Sequence, residues 1–203
     1  DDIASSSTSF LRSNIEDSSN FLKLSFSNGL KSDNIFFTFD STGSKKFDHK
    51  DAPKLVPLLK SSRIAAMIIS EGSTYKINNL PSHYDSTITF PLQIFSLKLD
   101  PSDNFIGVQD TLTLNIDQSN LPVDIVFNIY DSITGTDYDF NQTQDILIIT
   151  DSLGIINYED NGPLNRYLNY ANHRYFVSFS YSNLGNYHND IYPNSYQLYQ
   201  NYP

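Results

Sequence analysis

The chain has 203 residues, enough for one domain with a sizeable core, and its 13 Lys and Arg against 23 Asp and Glu give a formal charge of −10. That balance opposes the phosphate neutralisation on which nucleic-acid affinity rests, and no basic run offsets it, so nucleic acid and anionic membrane surfaces are poor partners. With no Cys, disulfides, thiolate nucleophiles and Cys-ligated zinc are excluded together, and no run approaches the roughly 18 apolar residues of a membrane span.

Residues 1–20 are rich in Ser, Asp, Asn and Thr and read as an N-terminal linker or loosely docked segment. From Phe21 the pattern becomes period two. Leu22, Leu24 and Phe26 alternate with Lys23 and Ser25, and Ile35, Phe37 and Phe39 repeat the alternation after the turn residues Asn28-Gly29. Ala52–Lys60 has the nearest approach to helical spacing, but Pro53 and Pro57 interrupt it. Further strands are predicted at Ile64–Ser70, Thr74–Ile77, Thr87–Leu97, Asp110–Asp117, Val123–Tyr130, Asp145–Thr150 and Arg174–Tyr181. In Thr111-Leu112-Thr113-Leu114-Asn115-Ile116 every second residue is apolar, as in a strand with one face on a core and one in water. Leu22, Leu24, Phe26, Leu112, Leu114, Ile116, Val177 and Phe179 should share one core. About nine strands in this order predict an all-β fold, a two-sheet antiparallel sandwich of jelly-roll or immunoglobulin-like type over residues 21–181. Residues 182–203 read as a C-terminal linker.

Catalytic signatures are missing: there is no Gly-x-Ser-x-Gly elbow, no His-Glu-x-x-His and no glycine-rich phosphate loop. No catalytic residue is assigned. His49, His83, His173 and His188 are scattered, and surface histidines account for them. Asp131, Asp137 and Asp139 flank Thr134-Gly135 and are a candidate calcium site, since calcium takes carboxylate and carbonyl oxygens; a plain hairpin turn explains the same residues. Asp100 and Asp103 mark a turn through Asp-Pro-Ser-Asp. Ten of the 14 Tyr lie from Tyr158 onward. Tyr158, Tyr167, Tyr170 and Tyr187 are candidate ligand-stacking residues, because tyrosine offers a flat apolar face with a polar edge at small entropic cost.

Several segments together resemble a β-sandwich domain found just before the C-terminal sorting domain of proteins exported by the bacterial type IX secretion system. The segments are Phe39–Leu55, then Tyr75-Lys76-Ile77-Asn78-Asn79-Leu80-Pro81, Thr89-Phe90-Pro91-Leu92, Asp131–Asp139 around Thr134-Gly135, and Arg174-Tyr175-Phe176-Val177-Ser178-Phe179. The family's Tyr-Asp-Ala-Tyr is replaced by Lys50-Asp51-Ala52-Pro53, and the stretches around Ile106 and Ile155 diverge. The final residues, Leu198-Tyr199-Gln200-Asn201-Tyr202-Pro203, resemble the opening phrase of such sorting domains. The resemblance implies a non-catalytic accessory module that reaches the extracellular space or outer cell surface through the periplasm. Its expected partners are upstream domains of the same polypeptide and the secretion machinery, with Tyr199, Gln200, Asn201, Tyr202 and Pro203 as the sorting linker. The alternative is a carbohydrate-binding module of a secreted polysaccharide-degrading enzyme.

Overall fold

The structure is a computed structural model that describes residues 20–46, 48–56, 61–138, 140, 146–159, 166–167 and 173–182. Among them there is no helix. The strands are β1 (Phe21–Ser27), β2 (Ser32–Asp40), β3 (Ala52–Pro53), β4 (Arg63–Ser70), β5 (Ser73–Pro81), β6 (Ile88–Leu99) and β7 (Phe105–Val108). They continue with β8 (Asp110–Asn120), β9 (Ile125–Asp131), β10 (Thr136–Tyr138), β11 (Ile146–Thr150), β12 (Tyr158–Glu159), β13 (Arg166–Tyr167) and β14 (Tyr175–Tyr181).

The all-β class is as expected, but the layout differs from two separate antiparallel sheets. Twelve strands form one mixed sheet in the order β10-β9-β14-β6-β4-β5-β2-β1-β8-β11, with β3 on β5 and β7 on β6, and the sheet curls into a nearly closed barrel. Among the described residues only β12 and β13 stand apart, as a pair. The physical reason for continuity is that two strands share one edge of β5. Antiparallel β4 occupies it at Thr74 and Tyr75, then peels away to pair with β6, and β2 takes over in parallel from Ile77 to Pro81. The hydrogen-bond ladder therefore passes through the corner. All nine predicted strands are present; the additional ones have two to four residues, too few to display a period. At the start of β9 the turn Pro122-Val123-Asp124 delays the strand to Ile125, whose N–H donates to Pro122 O at 3.0 Å.

The curl gives the sheet an inside. Leu22, Leu24, Phe26, Leu112, Leu114, Val177 and Phe179 all meet in one core, with Ile116 half-buried against it. This is the common face required by the alternation. The Phe37 and Phe179 rings lie 4.7 Å apart at its centre. A second, smaller core lies on the outer face of β4 and β6, where Val56, Met67, Ile69, Phe95, Leu97, Phe105 and Ile156 pack together. Covering both faces explains why Ile64 to Ile69 are all buried, in contrast to the alternation of β8.

Closure is made by side chains. β11 ends the sheet, and the Tyr175 hydroxyl of β14 donates to Ile149 O and accepts from Ile149 N–H, each at 2.9 Å. A buried tyrosine thus satisfies two edge groups that would otherwise await a thirteenth strand.

Candidate functional site

Three polar constellations are set into this frame. The first follows from the Asp131–Tyr138 hairpin. Gly135 adopts φ 69°, a conformation that favours glycine, and the turn brings Asp131 to the end of β9 beside Arg174. Asp131 is 1% exposed. Its Oδ1 accepts from Arg174 Nε at 3.0 Å and Ile133 N–H at 2.9 Å, and its Oδ2 accepts from Arg174 Nη2 at 2.8 Å. Burial opposes ionisation of Asp131, but Arg174 and the Ile133 and Thr134 amides outweigh it and hold the carboxyl below its usual range. Arg174 also reaches Asp151 at 3.1 Å and Ile149 O at 3.3 Å, so one guanidinium spans β9, β14 and the end of β11.

Of the predicted calcium ligands, Asp131 therefore directs both oxygens to Arg174 and the turn amides. Asp137 accepts from Asn128 Nδ2 at 2.6 Å, and Asp139 lies outside the described residues. Among the described residues no three His, Asp or Glu side chains gather as a metal-binding group. Asp100 folds back on its own turn, accepting from the Ser102 and Asn104 amides at 2.8 Å.

The second constellation pins the long loop after β2 onto β5. Asp51 accepts from Asn79 N–H at 2.6 Å and from Asp48 N–H at 2.8 Å, while Asn79 Nδ2 donates to Asp48 at 3.1 Å and Thr38 Oγ1 donates to Asn79 Oδ1 at 2.8 Å. Burial, aided by the Asp48 charge, pushes the Asp51 carboxyl up to about 6 against the pull of those amides. Gly43 runs so close to β5 that a Cβ there would lie 2.0 Å from Leu80 O. Asp40 steadies the loop's start through Lys50 at 2.5 Å and Thr42 N–H at 2.7 Å.

The third sits in the corner where β2 and β4 diverge. Asp33 Oδ2 accepts from Ala66 N–H at 2.8 Å and is in direct contact with Lys54 Nζ, and Lys54 is buried at 6% exposure. The sequence reading passed over this pair. A signal was present: Lys54 and Val56 point in while Leu55 points out, an alternation hidden by the flanking prolines.

The predicted tyrosines distribute differently. Tyr158 is half-buried in the second core, its ring 6.0 Å from Phe105, and it pairs in register with Tyr167. The Tyr167 side chain, Tyr170, Tyr187 and Tyr199–Pro203 lie outside the described residues, as does His188. His173 is half-buried, and burial pushes its imidazole below the usual range; His83 is exposed.

The outward residues of β9, β14 and β6 form a face that is half-buried at Tyr130, Phe176, Asn128, Ser178 and Thr89 and exposed at Val126, Ser180 and Thr87. Register places Tyr130 beside Phe176, and Asn128 beside Ser178 and Thr89, followed by Val126, Ser180 and Thr87. Thr89 and Ser178 hydroxyls are 2.9 Å apart, and those of Thr87 and Ser180 are 3.1 Å apart. A scan against family models finds no match, and neither the curated proteins nor the solved structures yield one.

Proposed function

We propose that this chain is a non-catalytic accessory module of a larger secreted or cell-surface protein, exported by the type IX route and spacing or presenting an upstream region. The observation that carries this reading is that the segments behind the resemblance meet one another in the fold and act as scaffold. Asp48 and Asp51 of the first segment hold Asn79 of the second. Thr89–Leu92 pairs with Tyr175–Phe179, and Asp131 holds Arg174. Asp48, Asp51, Asn79, Asp131 and Arg174 are thus spent on contacts within the sheet, which suits a module that serves through its shape. The test uses the full-length gene product. Truncation after Tyr202 should leave a folded protein in the periplasm, and normal surface delivery of that form refutes the reading.

A second reading, carbohydrate binding, is favoured by the outward rows of Tyr130 and Phe176 over Asn128, Ser178 and Thr89. They combine aromatic faces with hydroxyl and amide groups at strand spacing. Retention on insoluble cellulose or soluble xylan that is lost in Phe176→Ala supports it; passage of the wild-type chain through both unretarded removes it.

A further inference from the structure

The Asp33–Lys54 contact has the ingredients of a covalent bond. The two side chains are 14% and 8% exposed, so bulk water is largely excluded. The carboxyl is aimed by main-chain donors on both oxygens: Asn34 N–H donates to Oδ1 at 3.0 Å and Ala66 N–H donates to Oδ2 at 2.8 Å. The lysine stem is fixed as well, because Lys54 N–H donates to Thr74 O at 2.9 Å directly after the β3–β5 pairing.

We propose that Lys54 and Asp33 condense to form an isopeptide bond that staples the start of β2 to the chain following β3. An ammonium proton passes from Nζ to Oδ2, leaving a neutral amine and a carboxylic acid. The Nζ lone pair then attacks Cγ, the Nζ–Cγ bond forms, and the Cγ–Oδ2 bond breaks. A second amine proton leaves with Oδ2 as water. Nζ keeps one hydrogen, Oδ1 becomes the amide carbonyl oxygen still held by Asn34 N–H, and no co-reactant is needed.

Three physical effects favour the step. Two buried ions become one neutral amide, removing the desolvation penalty that a buried pair carries. Burial pushes the Lys54 ammonium below its usual range, opposed by Asp33 and reinforced by the charges of Lys76 and Arg63, which enlarges the share of nucleophilic amine. Holding the groups in contact supplies an effective concentration that reaches about 10⁵ M or more in well-oriented intramolecular reactions, and exclusion of water protects the product from hydrolysis. In a chain without Cys the bond would be a staple indifferent to redox conditions. It closes a ring containing β2 and the Asp40–Asp51 loop. The inference does not depend on the export reading.

Intact-mass spectrometry of the purified, denatured chain tests it. The wild type should weigh one water less than its sequence, and a protease digest should contain a branched peptide joining the Asp33 and Lys54 segments. Lys54→Arg and Asp33→Ala should each restore the full sequence mass, a readout that needs no folded variant. A folded wild-type chain at full sequence mass overturns the proposal. So does a water loss that persists in Lys54→Arg, which would locate the dehydration elsewhere.

Discussion

Replacing Arg174 by Met probes the seam at which the sheet closes. The substitution keeps an unbranched apolar stem but removes the partner of a carboxylate that is 1% exposed. Asp131 keeps the Ile133 and Thr134 amides, at 2.9 and 3.4 Å, and loses three guanidinium contacts. Breaking a buried ion pair from one side costs about 3–5 kcal/mol. The loss should stand at the upper end here, because Arg174 also holds Asp151 and Ile149 O across the seam. The pH dependence separates this account from simple loss of packing. In the wild type the Asp131 carboxyl is depressed, so its stabilisation is present above the ordinary carboxylate pKa of 3.8 and is lost as pH falls through the folded value. In Arg174→Met burial, the largest single influence, is opposed only by the Ile133 and Thr134 amides and raises that pKa relative to the wild type, so the variant's deficit should shrink as pH falls from 7 toward 4. Urea unfolding at a series of pH values measures both quantities. A deficit below about 1 kcal/mol, or one that stays flat with pH, refutes the assignment of Arg174 as the counter-ion of a buried charge. The double variant Asp131→Asn/Arg174→Met should recover part of the loss, since no buried charge remains.

Three further outcomes follow from the geometry. Gly43→Ala should destabilise by about 2 kcal/mol or more, because its Cβ would fall 2.0 Å from Leu80 O and one of two backbones must move; an unchanged melting temperature would show that the loop is not pinned there. The Asp51 carboxyl is raised to about 6 in the fold, so its contribution is fully present below the unfolded value and lost as pH rises through 6. Wild-type stability should accordingly fall by on the order of 1 kcal/mol between pH 5 and 7, after allowance for its partial exposure, and Asp51→Asn should flatten that slope. Leu114→Asp places a charge in the main core and should abolish cooperative unfolding by circular dichroism, whereas a folded variant would contradict the common core.

What the sequence made legible follows from the range of each signal. Period-two runs such as Thr111–Ile116 and Tyr175–Tyr181 reveal a strand and its inward face, because side-chain direction alternates with the backbone itself. The run Ile64–Ile69 reveals a strand but not its two-sided burial, since the covering residues Val56, Phe105 and Ile156 arrive from distant segments. Continuity of the sheet escaped because it hangs on a few residues, where β4 yields the edge of β5 to β2. Spacing picked out Asp131 in the hairpin, but only tertiary structure brings Arg174 to both of its oxygens. The pairing of Asp33 with Lys54 is illegible for the same reason: the Lys54–Val56 alternation hints that Lys54 is buried, but its partner comes from another strand and meets it only in the corner.

The position of β14 in the strand order bears on how the chain comes to fold. Among the described residues it is the last long strand in sequence, yet it lies inside the sheet, paired on one side with β6 and on the other with β9. A nascent chain can form the neighbouring β1–β2 and β4–β5 hairpins early, but β9 and β6 have nothing between them until Tyr175–Tyr181 is available. The pairing of β14 with β6 joins residues far apart in the chain, Tyr175 with Leu92 and Phe179 with Ile88, and such long-range contacts are slow to make. The described sheet therefore cannot complete its pairing until Tyr175–Tyr181 has been synthesised. The chain stays open to threading until that moment and becomes resistant to it afterwards.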